Sequence, residues 1–585
     1  MLRLSQATLL GATLAACGSG GDTGGSNQPP PSPLPPPAPP GVVTGVVQYE
    51  FPPPVAGCAG LDFDNVILRP IRRATVQLID ANSLAVLDAT ASDDGGNYTL
   101  NVAPQTDAFV RVRAELKSAS PSWDVEVRNN VVGSNNQNPP ALADRPLYTM
   151  DGTAFNSGDT GHLRNLTAST GWGGSSYTGV RAAAPFSVLD AIYSGMSLVL
   201  GDEPLASFAP LDAFWSPDNT TSASGEPNID SGELGTSFYD GEINSLFLLG
   251  MDGADTEEFD DHVIVHEWGH YFEDVFSRSD SIGGPHGIGE LLDMRVAFGE
   301  GFATALSGMA LDDPRYCDSL WRANGNLTGF EIDIESEAGG TAGWYNESSV
   351  MKLIYDLWDV DDDLADDSSI GFRPIFDVMT GDQATTPAFT SIFTFITYLK
   401  QQGTGQETFI DALLTGESIN PVSIDIYGSN ETNDGPGSPP DVLPIYTELT
   451  PGISINICTN SQNDSGRNGN KLAEHRYLSM NLPAAQQVTF SMIASPAPSA
   501  PSAGFDCTAD VNDPENHEHS DPDLIVWRNG EFVLWSIDCT PNTEISDPQL
   551  LPAGDYVIDI NEFRYDDTDT PNPYPEQVCF DFSAN

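Results

Sequence analysis

"VIVHEWGHYFED", Val263 to Asp274, is the stretch on which this chain turns. Two histidines four residues apart, with a glutamate directly after the first, describe either a zinc site or the wet edge of a buried helix. At about 100° and 1.5 Å per residue, His266 and His270 lie within roughly 40° of one another around a helix and one turn apart. Both imidazoles can therefore reach one ion. Zinc accepts neutral imidazole nitrogen at about 2.0–2.1 Å, and a catalytic site keeps one coordination position open for water. Glu267 then stands where a carboxylate can take a proton from that water. Chance is a poor competitor, because a 585-residue chain with 8 His would produce H-E-x-x-H in only about 0.5% of cases.

The surroundings agree. Phe259, Val263, Ile264, Val265, Trp268, Tyr271, Phe272 and Val275 are spread around the helix, which predicts a buried element. Histidines inside such a helix need polar partners. His262, one further turn back on the same face, reads as a hydrogen-bonding or surface group.

Two histidines do not complete a catalytic zinc site, which takes three protein ligands. A metzincin would continue H-x-x-G-x-x-H, but positions 273 and 276 are Glu and Phe, which excludes that class. Two glutamates compete instead. Glu290 follows "GGPHGI" and is expected near a helix start, where the positive end of the helix dipole accounts for a carboxylate. Glu300, in "FGEGFATALSG", lies well inside a helix, with Ala303, Thr304, Ser307 and Gly308 continuing its face in small residues. Such a face lets a second helix approach closely, as two helices sharing one ion must.

The stretch from His266 to Gly308, with "HEWGH" and the Gly-Glu-Gly helix, resembles the gluzincin zinc metallopeptidases and their fungalysin-like glutamate helix. The resemblance implies one Zn2+ held by His266, His270 and Glu300, with Glu267 as catalytic base. Fungalysin-like enzymes place aspartate soon after the glutamate; here Ala303 and Thr304 follow. Hydrolysis also needs a group to stabilise the oxyanion. Tyr345, just before a helix in "GGTAGWYNESSV", is the expected catalytic donor, set against a packing role for the same ring, and His286 in "GGPHGIG" is the other candidate. "INSLFLLG" is expected to be an edge strand on which a peptide substrate pairs through its backbone.

The termini of the chain set its surroundings. "MLRLSQATLLGATLAAC" has a basic residue, a short apolar run and small residues before a cysteine, a secretory signal too short to span a bilayer. Its "LAAC" end resembles the lipobox of bacterial lipoproteins. That resemblance implies acylation of Cys17 and a lipid anchor to the outer membrane or cell surface. Residues 18–41, rich in Gly, Ser and Pro, are a tether. No later stretch reads as a membrane span. A net charge of -61 with only 23 Lys and Arg argues against nucleic acid or anionic lipid as a partner. Six cysteines remain after Cys17, an even number in an exported chain, and bridges are expected among Cys458, Cys507, Cys539 and Cys579.

The roughly 540 residues after the tether are too many for one core. The fold class is therefore multidomain: an N-terminal β-sandwich over 42–116, a central α+β zincin-like catalytic domain over 117–440, and a C-terminal β-sandwich over 441–585. In the first, "RRATVQLIDANSLAVLDATASDDGGNYTLNV" is similar to the carboxypeptidase-regulatory-like family, which implies a structural accessory. In the last, "DPDLIVWRNG" followed by "LPAGDYVIDI" resembles the bacterial pre-peptidase C-terminal domain of secreted peptidases. Asn529-Gly530 marks a tight hairpin there. "DVDDDLADD", Asp359 to Asp367, offers carboxylates for Ca2+, but Leu364 stands where an EF-hand loop needs glycine, which favours a solvated acidic loop.

The sequence thus predicts a lipid-anchored zinc endopeptidase acting on protein or peptide. The alternative is a non-catalytic surface adhesion or binding lipoprotein with a structural zinc site.

Overall fold

The computed structural model describes residues 41–132, 139–159, 161–222, 227–319, 329–336, 339–360, 368–435, 442–498, 519–538, 540–566 and 574–585. All lie in one compact unit, Gly41–Asn585. Cys17, the signal and tether through Pro40, residues 361–367 of the acidic stretch, Cys507 and Cys539 lie outside the described residues.

The N-terminal strands form two sheets. Gly41–Phe51, with alternate residues buried, pairs antiparallel with Asn97–Val102 and Ile67–Pro70 and parallel with His162–Leu163 and Leu166–Ala168. The second sheet runs Phe238–Asp240, Ser245–Leu248, Leu211–Trp215, Ser122–Arg128, Asp107–Ala119, Ala74–Asp80, Val86–Ala91. The expected boundary lies at residue 116. It falls inside the strand Asp107–Ala119, whose far end pairs with Ser122–Arg128, so the N-terminal strands continue into the sheet that backs the helices. Alternating burial marks which face of a strand is inward but says nothing of its neighbours.

"INSLFLLG" needs correcting. Ser245–Leu248 is flanked on one side by Leu211–Trp215 and on the other by Phe238–Asp240, and all four of its residues are buried. Its backbone is already paired on both sides, and Phe238–Asp240 takes the edge.

Two helices, α1 (Ala184–Asp202) and α2 (Asp261–Phe276), pack against this sheet, α3 (Met294–Leu311) packs on them, and α4 (Glu347–Trp358) packs on α3. By length and composition α1 could cross a membrane, contrary to the reading that no later stretch could, yet 72% of its apolar window is buried inside the protein. Gly195 of α1 admits the Trp268 ring of α2, where an added Cβ would lie 2.4 Å from the indole. Helices α2 and α3 meet still more closely: a Cβ on Gly269 would lie 2.8 Å from the Cα of Ala303.

The C-terminal part is β-rich. One sheet runs Tyr446–Glu448, His475–Leu482, Gly554–Glu562, Pro522–Arg528, Glu531–Ser536; the other runs Ile455–Asn460, Gln577–Ala584, Phe490–Ala494, Thr543–Ile545. Leu478, Phe490, Leu524, Tyr556, Phe580 and Phe582 share the core between them. The hairpin turns at Asn529 and Gly530, both at positive φ (52° and 76°), as a two-residue connection between twisted strands requires. Cys458 is bridged to Cys579, and Cys58 to Cys317. The second bridge was not foreseen, since nothing in the spacing of the two cysteines brings Cys58 to the strand Arg315–Asp318.

Candidate metal centre

Helix α2 is buried on most sides, and its His262 and His266 face α3. The small face of α3 serves that meeting: Ala303 lies against Gly269, the Thr304 hydroxyl is 2.9 Å from His266 Nδ1, and Ser307 Oγ is 3.2 Å from His262 Nδ1. A proton on His266 Nδ1 donated to Thr304 leaves the Nε2 lone pair free. Gly308 belongs to a different contact and faces Tyr355 of α4.

His266, His270 and Glu300 come together, with one ligand atom from each lying within 4.8 Å of the others. Glu300 Oε2 is 3.2 Å from His266 Nε2 and 3.3 Å from His270 Nε2, and the two Nε2 atoms are 3.1 Å apart. Ligands at about 2.0–2.1 Å around a tetrahedral zinc are separated by about 3.3 Å, so the spacing fits that ion. The buried Oε2 has no well-directed hydrogen bond despite the nearby imidazole nitrogens, an orphaned acceptor that a cation would satisfy.

Electrostatics point the same way. Burial opposes a charge on His270, but Glu300 and Glu267 outweigh it and raise the imidazole to about 9. Burial likewise opposes ionisation of Glu300, yet the surrounding imidazoles hold its carboxyl well below the usual range. The cluster thus favours a positive charge at its centre. His262 behaves oppositely: burial lowers it to about 4, and it serves as a neutral hydrogen-bonding group. Glu267 is buried next to the pair.

His286 reaches the cluster from the loop before α3. Its Nε2 lies 3.3 Å from Glu300 Oε2, and its Nδ1 lies 2.9 Å from Glu347 Oε2 in the first turn of α4. Burial pulls His286 down, but Glu347 and Glu300 together raise it to about 9. Glu347 was missed by the sequence reading, because a carboxylate at a helix N-terminus has a sufficient local explanation in the dipole.

Tyr345 stands elsewhere. Its ring is fully buried against Trp344, and its hydroxyl lies 3.2 Å from Asn433 Oδ1 and 3.3 Å from the Ala342 carbonyl. The donor proposed for an oxyanion is thus already engaged, and the packing role describes this ring. Glu290 is also drawn away, its Oε2 lying 2.9 Å from Lys471 Nζ. It precedes α3, which begins at Met294 with Asp293 as its cap. A cavity of about 630 Å³ opens beside His262, Arg69, Arg72 and Asp261 and does not include the cluster. Its charged groups are paired with one another, Arg69 with Asp261 and Arg72 with Asp190.

No curated protein matches the chain. Among solved structures, the pre-peptidase C-terminal domain of collagenase from Bacillus anthracis is similar at 7% identity and a TM-score of 0.15, over 24% of this chain and 94% of that one. A 9R-lipoxygenase from Cyanothece PCC8801 is similar at 9% identity and a TM-score of 0.13, over 28% of this chain and 24% of that one. Likenesses this slight bear no weight. Residues 216–407, about a third of the chain, match the family described as the Mycolysin C-terminal domain. That segment contains His266, Glu267, His270, His286, Glu300 and Glu347, and the match points to a metallopeptidase-related family for the part that holds the cluster.

Proposed function

We propose that the protein is an exported zinc endopeptidase of gluzincin type, with His266, His270 and Glu300 as metal ligands and Glu267 as general base. The observation that supports it is the meeting of three ligand atoms, 3.1–3.3 Å apart, around a buried carboxylate oxygen with no hydrogen-bond partner. When bound, zinc supplies Lewis acidity and makes a water nucleophile available near neutral pH. Thr304 fixes the tautomer and orientation of His266. Glu267 takes the proton of the attacking water and returns it to the leaving amine, so the peptide bond breaks with no net change in the carboxylate. His286, with Nδ1 on Glu347 and Nε2 on Glu300, orients that glutamate beside the ion.

Lipid attachment at Cys17 belongs to the same reading and places the activity at the bacterial outer membrane or cell surface. A structural-zinc adhesin would have no use for a buried carboxylate at Glu267. The deciding experiment replaces Glu267 by Gln. Casein or peptide cleavage should fall at least about 100-fold, as expected for loss of a general base, while zinc content stays at that of the wild type. Undiminished cleavage would remove Glu267 from the mechanism.

A further inference from the structure

The loop that carries His286 is held from outside the helical layer. Asn470 Nδ2 donates to the carbonyls of Gly283 (2.8 Å) and Pro285 (3.1 Å), and Lys471 Nζ donates to the Pro285 carbonyl (2.6 Å) and to Asn470 Oδ1 (2.8 Å). The same ammonium pairs with Glu290 Oε2 beyond His286. Backbone bonds extend the seam: Asp293 N to Asn470 O and Leu472 N to Leu291 O, each 2.9 Å. Lys471 is only 2% exposed. A buried ammonium is costly unless its protons are used, and here its three partners are the carbonyl just before His286, its neighbour Asn470, and the carboxylate at the end of the same loop. Gly284 makes the fit tight, because a Cβ there would stand 2.8 Å from Asn470 Nδ2. Pro285 cannot donate a backbone hydrogen bond, so the loop around His286 depends on donors brought to it.

We infer that Asn470 and Lys471, contributed by the C-terminal β-rich part, are positioning residues that hold His286 against Glu300 at the metal cluster. The inference rests on the zinc peptidase reading. The backbone flanking His286 is anchored by Asn470 and Lys471, the imidazole is anchored by Glu347 at Nδ1, and Nε2 is thereby left facing Glu300. The C-terminal part is then a component of the site, not an appendage to it.

A double-mutant cycle tests this in the full-length chain. Zinc affinity is measured by competition with a chromogenic chelator, and kcat and KM are measured on one peptide, for wild type, Asn470→Ala, Lys471→Met, His286→Ala, and each of the first two combined with His286→Ala. Support groups around a metal ligand typically contribute 10–100-fold in affinity or activity. Asn470→Ala and Lys471→Met should each lose about 10-fold in zinc affinity and lower kcat with little change in KM. In the His286→Ala background, adding either should change affinity less than about twofold, since residues acting through one group are non-additive. Losses that multiply fully in that background would overturn the inference. If Lys471→Met does not fold, the Asn470→Ala cycle decides alone, with thermal unfolding as its control. Wild-type protein that takes up no zinc would defeat the peptidase reading, whereas zinc-loaded, active wild type with an additive cycle would defeat only this inference.

Discussion

Arg295, in the first turn of the helix that bears Glu300, is ion-paired at 2.8 Å with Asp559 of the strand Gly554–Glu562, and both are buried. The same guanidinium bonds Asp293, the cap of its own helix, and Tyr477 of the C-terminal sheet donates to that cap as well. Burial alone would raise Asp559, but Arg295 and His475 overcome it and bring the carboxyl down to about 2. A depressed folded pKa contributes stability that is full above the unfolded value, about 3.9, and is lost as pH falls toward about 2. Asp559→Asn should cost about 3–5 kcal/mol at pH 7, the usual penalty for leaving a buried partner uncompensated. The gap from wild type should narrow by about 2.5 kcal/mol at most as pH falls from about 4 to below about 2, where the wild-type carboxylate is itself protonated. Urea unfolding across that range measures it, and a gap that does not vary with pH would contradict the account.

Metal retention after dialysis separates the two competing glutamates. Glu300→Ala removes the oxygen that faces His266 and His270 and should lose zinc. Glu290→Ala should keep it, because that carboxylate is turned to Lys471. The reverse result would transfer the ligand role to Glu290.

Close approach of α2 and α3 is a condition of the cluster. Gly269→Ala would drive a Cβ to within 2.8 Å of the Ala303 backbone, so the helices must separate. Overpacking of this kind typically costs about 1–3 kcal/mol. Zinc affinity should fall by more than the thermal midpoint suggests, because the ligands sit on opposite sides of that contact. Wild-type affinity in a folded Gly269→Ala protein would show that the helices adjust without moving the ligands.

Tyr345 and His286 can be distinguished by kinetics. Tyr345→Phe removes only a hydroxyl already occupied by Asn433 and Ala342, and kcat should stay within about twofold. His286→Ala should lower zinc affinity and kcat by about 10–100-fold, the usual effect of losing a group that orients a metal ligand. A large kcat loss in Tyr345→Phe would return that phenol to the chemistry.

The cluster and its surroundings differed in how far the sequence disclosed them. His266, Glu267 and His270 were readable because helical spacing alone places them together. Glu300 followed from the small residues after it, although Gly308 proved to serve α4 and not α2. Tyr345 stayed open between a catalytic and a packing role because position before a helix says nothing about where a phenol points. Glu347, Asn470 and Lys471 carried no signal at all, since their partners lie 61 to 187 residues away and no local pattern records such pairings. The strand Asp107–Ala119 lies mostly within the expected β region over 42–116, yet its neighbours carried no signal, because alternation encodes a face and leaves partner choice to tertiary contacts.

The seam between α3 and the C-terminal sheet also has a consequence in time. A chain is made from its N-terminus, and Asp559 follows Glu267 by about 290 residues. At about 5–20 residues per second of synthesis, that interval lasts roughly 15–60 s. Through it the glutamate helix lacks its buried ion pair with Asp559, and through about its first two thirds the His286 loop also lacks Asn470 and Lys471. On the proposed reading, the site therefore gains its full support only after Lys471 and Asp559 have been made.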